Sequence, residues 1–171
     1  KKLEKKIEDK TEGLQIESLV RTGFTVEEIR NVIREKDPGL VVMGITGTSK
    51  YNEALIGSHT SSLMKQTRTP ILVVPKDARF KEVEKIVLAY NYNEEVKTEV
   101  IDKIKEFVKF FNAKLLVLDV EKPVVVPMYE NTAAGETLER SLKDVDHAMF
   151  FSSAKNITDG INEFADDHKC D

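Results

Sequence analysis

Several absences in this chain exclude whole classes of protein. The chain has a single cysteine, Cys170, so it cannot form an internal disulfide framework, which fits a reducing compartment. Its longest apolar runs are about as long as one strand, so we expect no membrane span. The start, KKLEKKIEDK, is charged and helical in pattern, unlike a signal peptide. Together these features predict a cytoplasmic protein that has no membrane partner.

Glycine, proline and clustered basic residues are also scarce. The 171 residues include 8 Gly and 5 Pro, and they are 40% hydrophobic and 33% charged, which is typical of a globular protein and not of a disordered one. The net charge is −4 and no basic block stands out, which argues against nucleic acid as a partner. The length allows one substantial core or two incomplete halves.

Strand and helix patterns alternate along the chain. A capping box at Thr25 and Glu28 predicts the start of the first clear helix, and a second helix is predicted from Leu55 to Gln66. Strands alternating with helices predict an α/β fold with a doubly wound, mostly parallel sheet and helices on both faces, as in Rossmann-like proteins. The predicted strands are Leu14–Val20, Leu40–Met43, Ile71–Val74, Ile86–Ala89, Leu115–Val120 and Ala148–Phe151.

The stretch from Leu40 to Pro75 joins two apolar strands through a glycine-bearing loop. Glycines without Cβ atoms let the backbone turn sharply and approach a ligand, and a helix start offers free N–H groups to an anion. This predicts a phosphate site, although the glycines could equally serve tight turns alone. No Gly-Lys-Ser/Thr follows, so the loop is not a P-loop, and no obvious group holds Mg²⁺. The predicted phosphate-binding residues are Gly44, Thr46, Gly47, Gly57 and Ser58.

The first and last thirds of the chain share an order of helix, strand and helix. An offset of 132 places Val32 on Phe164, within matching helical stripes, and Gly39 on Asp171. We interpret residues 1–77 as the C-terminal half of one repeat and residues 82–171 as the N-terminal two-thirds of the next. The alternative is a coincidence between two amphipathic helices.

The spacing in the loop resembles a known family. Gly44, two residues, Gly47, nine residues, Gly57 and Ser58 match the nucleotide motif of the universal stress proteins, and the flanks VVMG and TPILVVP match as well. The chain therefore looks like a universal stress protein with two tandem domains. The resemblance implies an adenine-nucleotide-hydrolase-like fold and an adenine nucleotide, ATP or AMP, as ligand, with the role of Mg²⁺ left open.

The same resemblance implies contacts for the base and ribose. The family places an Asp after its first strand, where this chain has Asn91, followed by Tyr92 in the place of the usual Gly. Asn91 lacks the charge that suits a ribose hydroxyl, and Tyr92 is bulky enough to crowd the pocket. Val120 lies where the family contacts adenine through its backbone, although a plain core role fits it equally well.

These motifs lead to three functional hypotheses. The first is an adenine-nucleotide-binding stress protein that acts through a ligand-dependent change of shape or partner, with at most weak ATP hydrolysis. The second is an interaction module that keeps the fold without nucleotide, and the third, an enzyme, lacks any nameable base, nucleophile or metal cluster. Incomplete sheets predict a homodimer or a permuted domain, and either would place Asn91 opposite Gly44 to Ser58.

Overall fold

The computed structural model describes residues 13, 15–45, 57–76, 78–92, 94–123 and 133–171. The chain divides into two compact units, Lys1–Arg79 and Phe80–Asp171, called the first and second units below. The division falls within the polar connector that the sequence predicts at Lys76–Lys81.

The first unit contains two helices and two parallel strands. They are α1 (Thr25–Lys36), β1 (Val41–Ile45), α2 (Ser58–Met64) and β2 (Ile71–Pro75). β1 and β2 pair in register from Val41 opposite Ile71 to Ile45 opposite Pro75. α1 contacts α2, where the Arg30 Nη1 group donates to Gln66 Oε1 at 2.9 Å. Of the residues described in this unit, Leu63 and Thr60 are the buried ones, so its core is small.

Two sequence predictions for the first unit are wrong. Residues 15–20 form no strand, and Val20 is 95% exposed; Leu14 lies outside the described residues. Their alternating pattern suits a strand, but strands persist only when a neighbour supplies ladder hydrogen bonds, and the described strands β1 and β2 pair with each other.

The predicted capping box at the start of α1 is the second wrong prediction. Phe24 is the N-cap residue and Thr25 is already helical, so the helix begins one residue earlier than the box requires. The Glu28 side chain lies against Gly23 and accepts a hydrogen bond from Asn31 Nδ2 at 3.3 Å. Glu28 therefore packs over a glycine with no Cβ and does not cap the helix.

The second unit is a three-stranded parallel sheet with helices on both faces. Its elements are β3 (Lys85–Ala89), α3 (Thr98–Phe111), β4 (Lys114–Glu121), α4 (Ala133–Ser141), β5 (His147–Ser153) and α5 (Ile157–His168). The strand order is β3-β4-β5, with β4 in the centre. These bounds confirm the predicted strands of this half to within two residues.

Side chains of β4 alternate between two apolar clusters. Leu115 and Val117 pack with residues of α3 and α4, whereas Leu116, Leu118 and Val120 pack with Phe164 of α5. Alternation along a strand places these sets on opposite faces of the sheet. The fold is therefore α/β and doubly wound, as the sequence predicts.

A glycine fixes the distance between α5 and the sheet. A Cβ at Gly160 would lie 2.8 Å from both Val120 Cγ1 and Ala154 Cβ, closer than real carbon atoms approach. We therefore expect Gly160→Ala to lower the free energy of unfolding by about 1–3 kcal/mol, measured by urea denaturation, because the helix must move away from β4. Asn162→Ala, at an exposed position of the same helix, is the matched control. Unchanged stability of Gly160→Ala would contradict this packing.

Asp144 connects α3 to the segment between α4 and β5. Its carboxylate pairs with Lys105 and Lys109, and these two ammonium groups hold the pKa of Asp144 below its ordinary value of 3.8. A lowered folded-state pKa adds stability that is present above 3.8 and is lost as the pH falls through the folded-state value.

This pairing gives a pH-dependent prediction. In urea denaturation, wild type should be more stable than Asp144→Asn at neutral pH, and the difference should shrink once the pH falls below about 4. Asp102→Asn, at an exposed position of α3, controls for loss of one negative charge. A difference that stays constant down to about pH 2 would show that the pairing adds no stability.

Candidate functional site

The first unit presents a strand end and a helix start within the predicted phosphate-binding stretch. β1 ends at Ile45 and α2 begins at Ser58, with Gly57 as its N-cap residue. Gly57 has φ of 66° and ψ of 142°, a conformation that L side chains rarely adopt and that glycine adopts readily. Both Gly57 and Ser58 are exposed. The glycine is thus required for the way the chain enters the helix.

At the start of α2 the first backbone N–H groups have no hydrogen-bond acceptor among the described residues. The first helical hydrogen bond among the described residues runs from Ser61 N to Gly57 O at 3.0 Å. The amides of Ser58, His59 and Thr60 come before it, and Gly57 has no side chain with which to cap them. The partial positive charge of the helix start favours an anion there. The Ser58 hydroxyl can add one more hydrogen bond.

Gly44 lies near the carboxyl end of β1, opposite Val74 of β2. It is exposed, and no described atom lies within 4 Å of the position that a Cβ would take. Packing of the described residues therefore does not require a glycine here. Thr46 and Gly47, the other predicted phosphate-binding residues, lie outside the described residues.

The second unit places Asn91 and Val120 at the carboxyl end of its own sheet. Tyr90 N donates to Leu118 O at 2.9 Å, which extends the β3–β4 ladder and brings Asn91 next to the end of β4. Asn91 opens the predicted turn, accepting from Glu94 N at 3.0 Å and donating from Nδ2 to Glu94 Oε1 at 3.2 Å. The Val120 side chain is packed towards Phe164, so only its backbone is available at this edge.

Sequence reasoning missed Asp119, a buried carboxylate in β4. It is 5% exposed, and its Oδ2 accepts a hydrogen bond from the backbone N–H of Tyr92 at 3.1 Å. Asp119 interrupts the apolar run Leu115–Val120, and a charge within such a run was a signal that could have identified it. It anchors the turn that follows β3.

Tyrosines and carboxylates surround this edge of the second unit. Burial, followed by the Asp119 and Glu139 carboxylates, raises the pKa of the Tyr92 hydroxyl. Burial, followed by Glu94 and Glu95, likewise raises the pKa of Tyr90. Burial is the larger cause of both shifts, and the nearby carboxylates add negative charge at this edge.

The described part of the chain lacks two further features. No group of three or more His, Cys, Asp or Glu residues in it is arranged to hold a metal ion. None of its helices is long and apolar enough to cross a membrane.

Comparison with known proteins finds a family likeness in the first unit. The model of the universal stress protein family matches residues 1–75. A universal stress protein of Methanocaldococcus jannaschii is 28% identical over 74 residues, which are 43% of this chain and 44% of that protein. The crystal structure of a universal stress protein from Archaeoglobus fulgidus has a TM-score of 0.57 at 15% identity, covering 85% of this chain and 51% of that one.

These matches have different weights. At 15% identity the archaeal structure shows the fold alone, whereas the family model matches the stretch that holds β1, the glycine motif and β2. The chain spans about half the length of the relatives that it matches. Residues 1–75 therefore carry the sequence signature of the universal stress protein family.

Proposed function

We propose that this chain binds an adenine nucleotide, ATP or AMP, through the stretch from Gly44 to Ser58. One observation carries the proposal: Gly57, with a positive φ, leads directly into α2, and among the described residues no side chain caps the first amides of the helix. The family likeness supports it, because the spacing of Gly44, Gly47, Gly57 and Ser58 is that family's nucleotide motif.

The proposal assigns binding and no turnover. The amides of Ser58, His59 and Thr60 would donate to phosphate oxygens, and the Ser58 hydroxyl would add a hydrogen bond. Asn91 and Val120 remain predictions as base and ribose contacts, and no residue is assigned as a base or a Mg²⁺ ligand. The family likeness supports a stress-response role in which nucleotide changes the shape or partners of the protein.

We also propose an assembly and an origin for the two units. Val42 and Leu72, opposite each other in the β1–β2 ladder, are both exposed, which supports association into a homodimer through an apolar sheet face.

The helices α1 and α5 have equal length at an offset of 132, and each is followed by a C-cap residue with a positive φ, Asp37 or Lys169. This supports two consecutive repeats, as the sequence offset suggests.

Thermal unfolding with added nucleotide tests the proposal. We expect the midpoint to rise with the concentration of ATP or AMP, because a ligand that binds only the native state stabilises it by about 2.7 kcal/mol at a hundredfold excess over Kd. Ser58→Ala should weaken binding about fivefold through loss of one hydrogen bond. No shift at millimolar nucleotide would favour the interaction module, and sustained phosphate release abolished by Ser58→Ala would favour an enzyme.

A further inference from the structure

Tyr92 lies where ligands usually bind in folds of this kind. Parallel α/β sheets bind ligands in the crevice outside the carboxyl ends of their strands, and Tyr92 follows β3 at that edge of the second unit. Although it lies in a turn, it is only 5% exposed. A side chain of the protein itself therefore fills part of this edge.

The Tyr92 ring is held from several sides. It stacks on Phe151 with ring centres 4.7 Å apart and planes 29° apart, and it meets Tyr90 edge-on at 5.6 Å. Its hydroxyl lies 3.5 Å from Met149 Sδ, while its backbone N–H donates to Asp119. These contacts fix the ring in one position at the ends of β4 and β5.

The stacked geometry is the one that a nucleobase adopts on an aromatic side chain. Phe151, the ring beneath Tyr92, is 54% exposed and belongs to a strand, so it is a fixed platform. A cavity of about 250 Å³ lies beside the same cluster, walled in part by Ile101 and Leu138.

Carboxylates near Tyr90 and Tyr92 limit which ligands could bind at this edge of the second unit. Asp119 and Glu139 act on Tyr92, and Glu94 and Glu95 act on Tyr90, so the edge carries a negative potential. A phosphate group would be repelled there, whereas a neutral base with its ribose would not. The matching probe is adenosine and not ATP.

We propose that Tyr92 is the specificity-determining residue of the second unit: its ring occupies the stacking position on Phe151 and so closes this edge to a nucleobase. The choice of an adenine compound rests on the proposed function, whereas the closure itself does not. Nucleotide binding is then restricted to the first unit, and the base and ribose contacts predicted for Asn91 and Val120 would not form in the wild-type protein.

The test uses methionine-methyl NMR of the full chain with adenosine as the probe. Met149 reports on the Tyr92 cluster, and Met43 and Met64 report on the first unit. In Tyr92→Ala the Met149 signal should titrate with adenosine over a concentration range in which the wild-type signal does not move, because stacking on Phe151 becomes available. Phe164→Ala, which removes a ring from the opposite face of the same sheet, should behave as wild type.

Each outcome separates this proposal from the nucleotide proposal. Titration of Met149 by adenosine in wild type would overturn the closure, whether or not any variant folds. Absence of titration in a Tyr92→Ala protein with native circular dichroism would overturn it as well, and Tyr92→Val would replace a variant that fails to fold. Shifts of Met43 and Met64 with ATP test the first unit independently.

Discussion

Gly44→Val is expected to abolish stabilisation by ATP while leaving the free energy of unfolding of the ligand-free protein within about 0.5 kcal/mol of wild type. No described atom lies within 4 Å of the Cβ position, and valine favours strands, so the fold should tolerate the new side chain. A phosphate approaching the end of β1 would meet its methyl groups. The measurement is the thermal midpoint with and without ATP.

Gly39→Val is the matched control for this prediction. Gly39 precedes the opposite end of β1, and a Cβ there also meets nothing within 4 Å. The same substitution should therefore leave the ATP-dependent shift intact. Retention of the full shift in Gly44→Val would show that nucleotide does not approach this glycine, and a large loss of ligand-free stability would show that packing requires it.

Leu118→Ala is expected to lower the free energy of unfolding of the second unit by about 3–5 kcal/mol. Leu118 is fully buried at the centre of β4 and packs against Phe164. Its truncation leaves a cavity between β4 and α5 that the surrounding side chains cannot easily fill. Urea denaturation followed by circular dichroism measures the effect. A loss below about 1 kcal/mol would contradict the assignment of β4 as the core strand.

Val42→Ala is the contrasting substitution in the first unit. Val42 is 60% exposed in β1, so at a protein concentration low enough to keep the chain monomeric its truncation should change the free energy of unfolding by no more than about 1 kcal/mol. The contrast follows from the uneven distribution of the core, since most described buried residues belong to the second unit. Equal losses for the two variants would show that β1 is buried in solution, as in the proposed homodimer.

The sequence predicted a strand correctly where a strand-like hydrophobic pattern also has a neighbouring strand to pair with. β4 is apolar on both sides and has strands on both edges, and its predicted bounds differ from the observed ones by one residue at each end. Residues 15–20 carry a strand-like pattern but have no ladder, and pattern alone cannot report the missing neighbour. The predicted capping box was also wrong, because the Glu28 side chain packs against Gly23, which has no Cβ, and does not cap the helix.

The backbone at the candidate site was predicted only in part. The sequence predicts a helix from Leu55, whereas α2 begins at Ser58 and Gly57 precedes it with a positive φ. Contacts between residues distant in sequence were not predictable, because nothing local links Tyr92 to Asp119 and Phe151. The sequence identified Tyr92 as a bulky departure from the family, and only the fold shows which ring it stacks on.

Amide hydrogen exchange at the start of α2 tests the central claim most directly. The account predicts that millimolar ATP slows exchange at Ser58, His59 and Thr60, because phosphate oxygens would accept hydrogen bonds from these uncapped amides. Gly39→Val should retain this protection and Gly44→Val should lose it. Exchange at these three amides that is unchanged by saturating ATP would contradict the account.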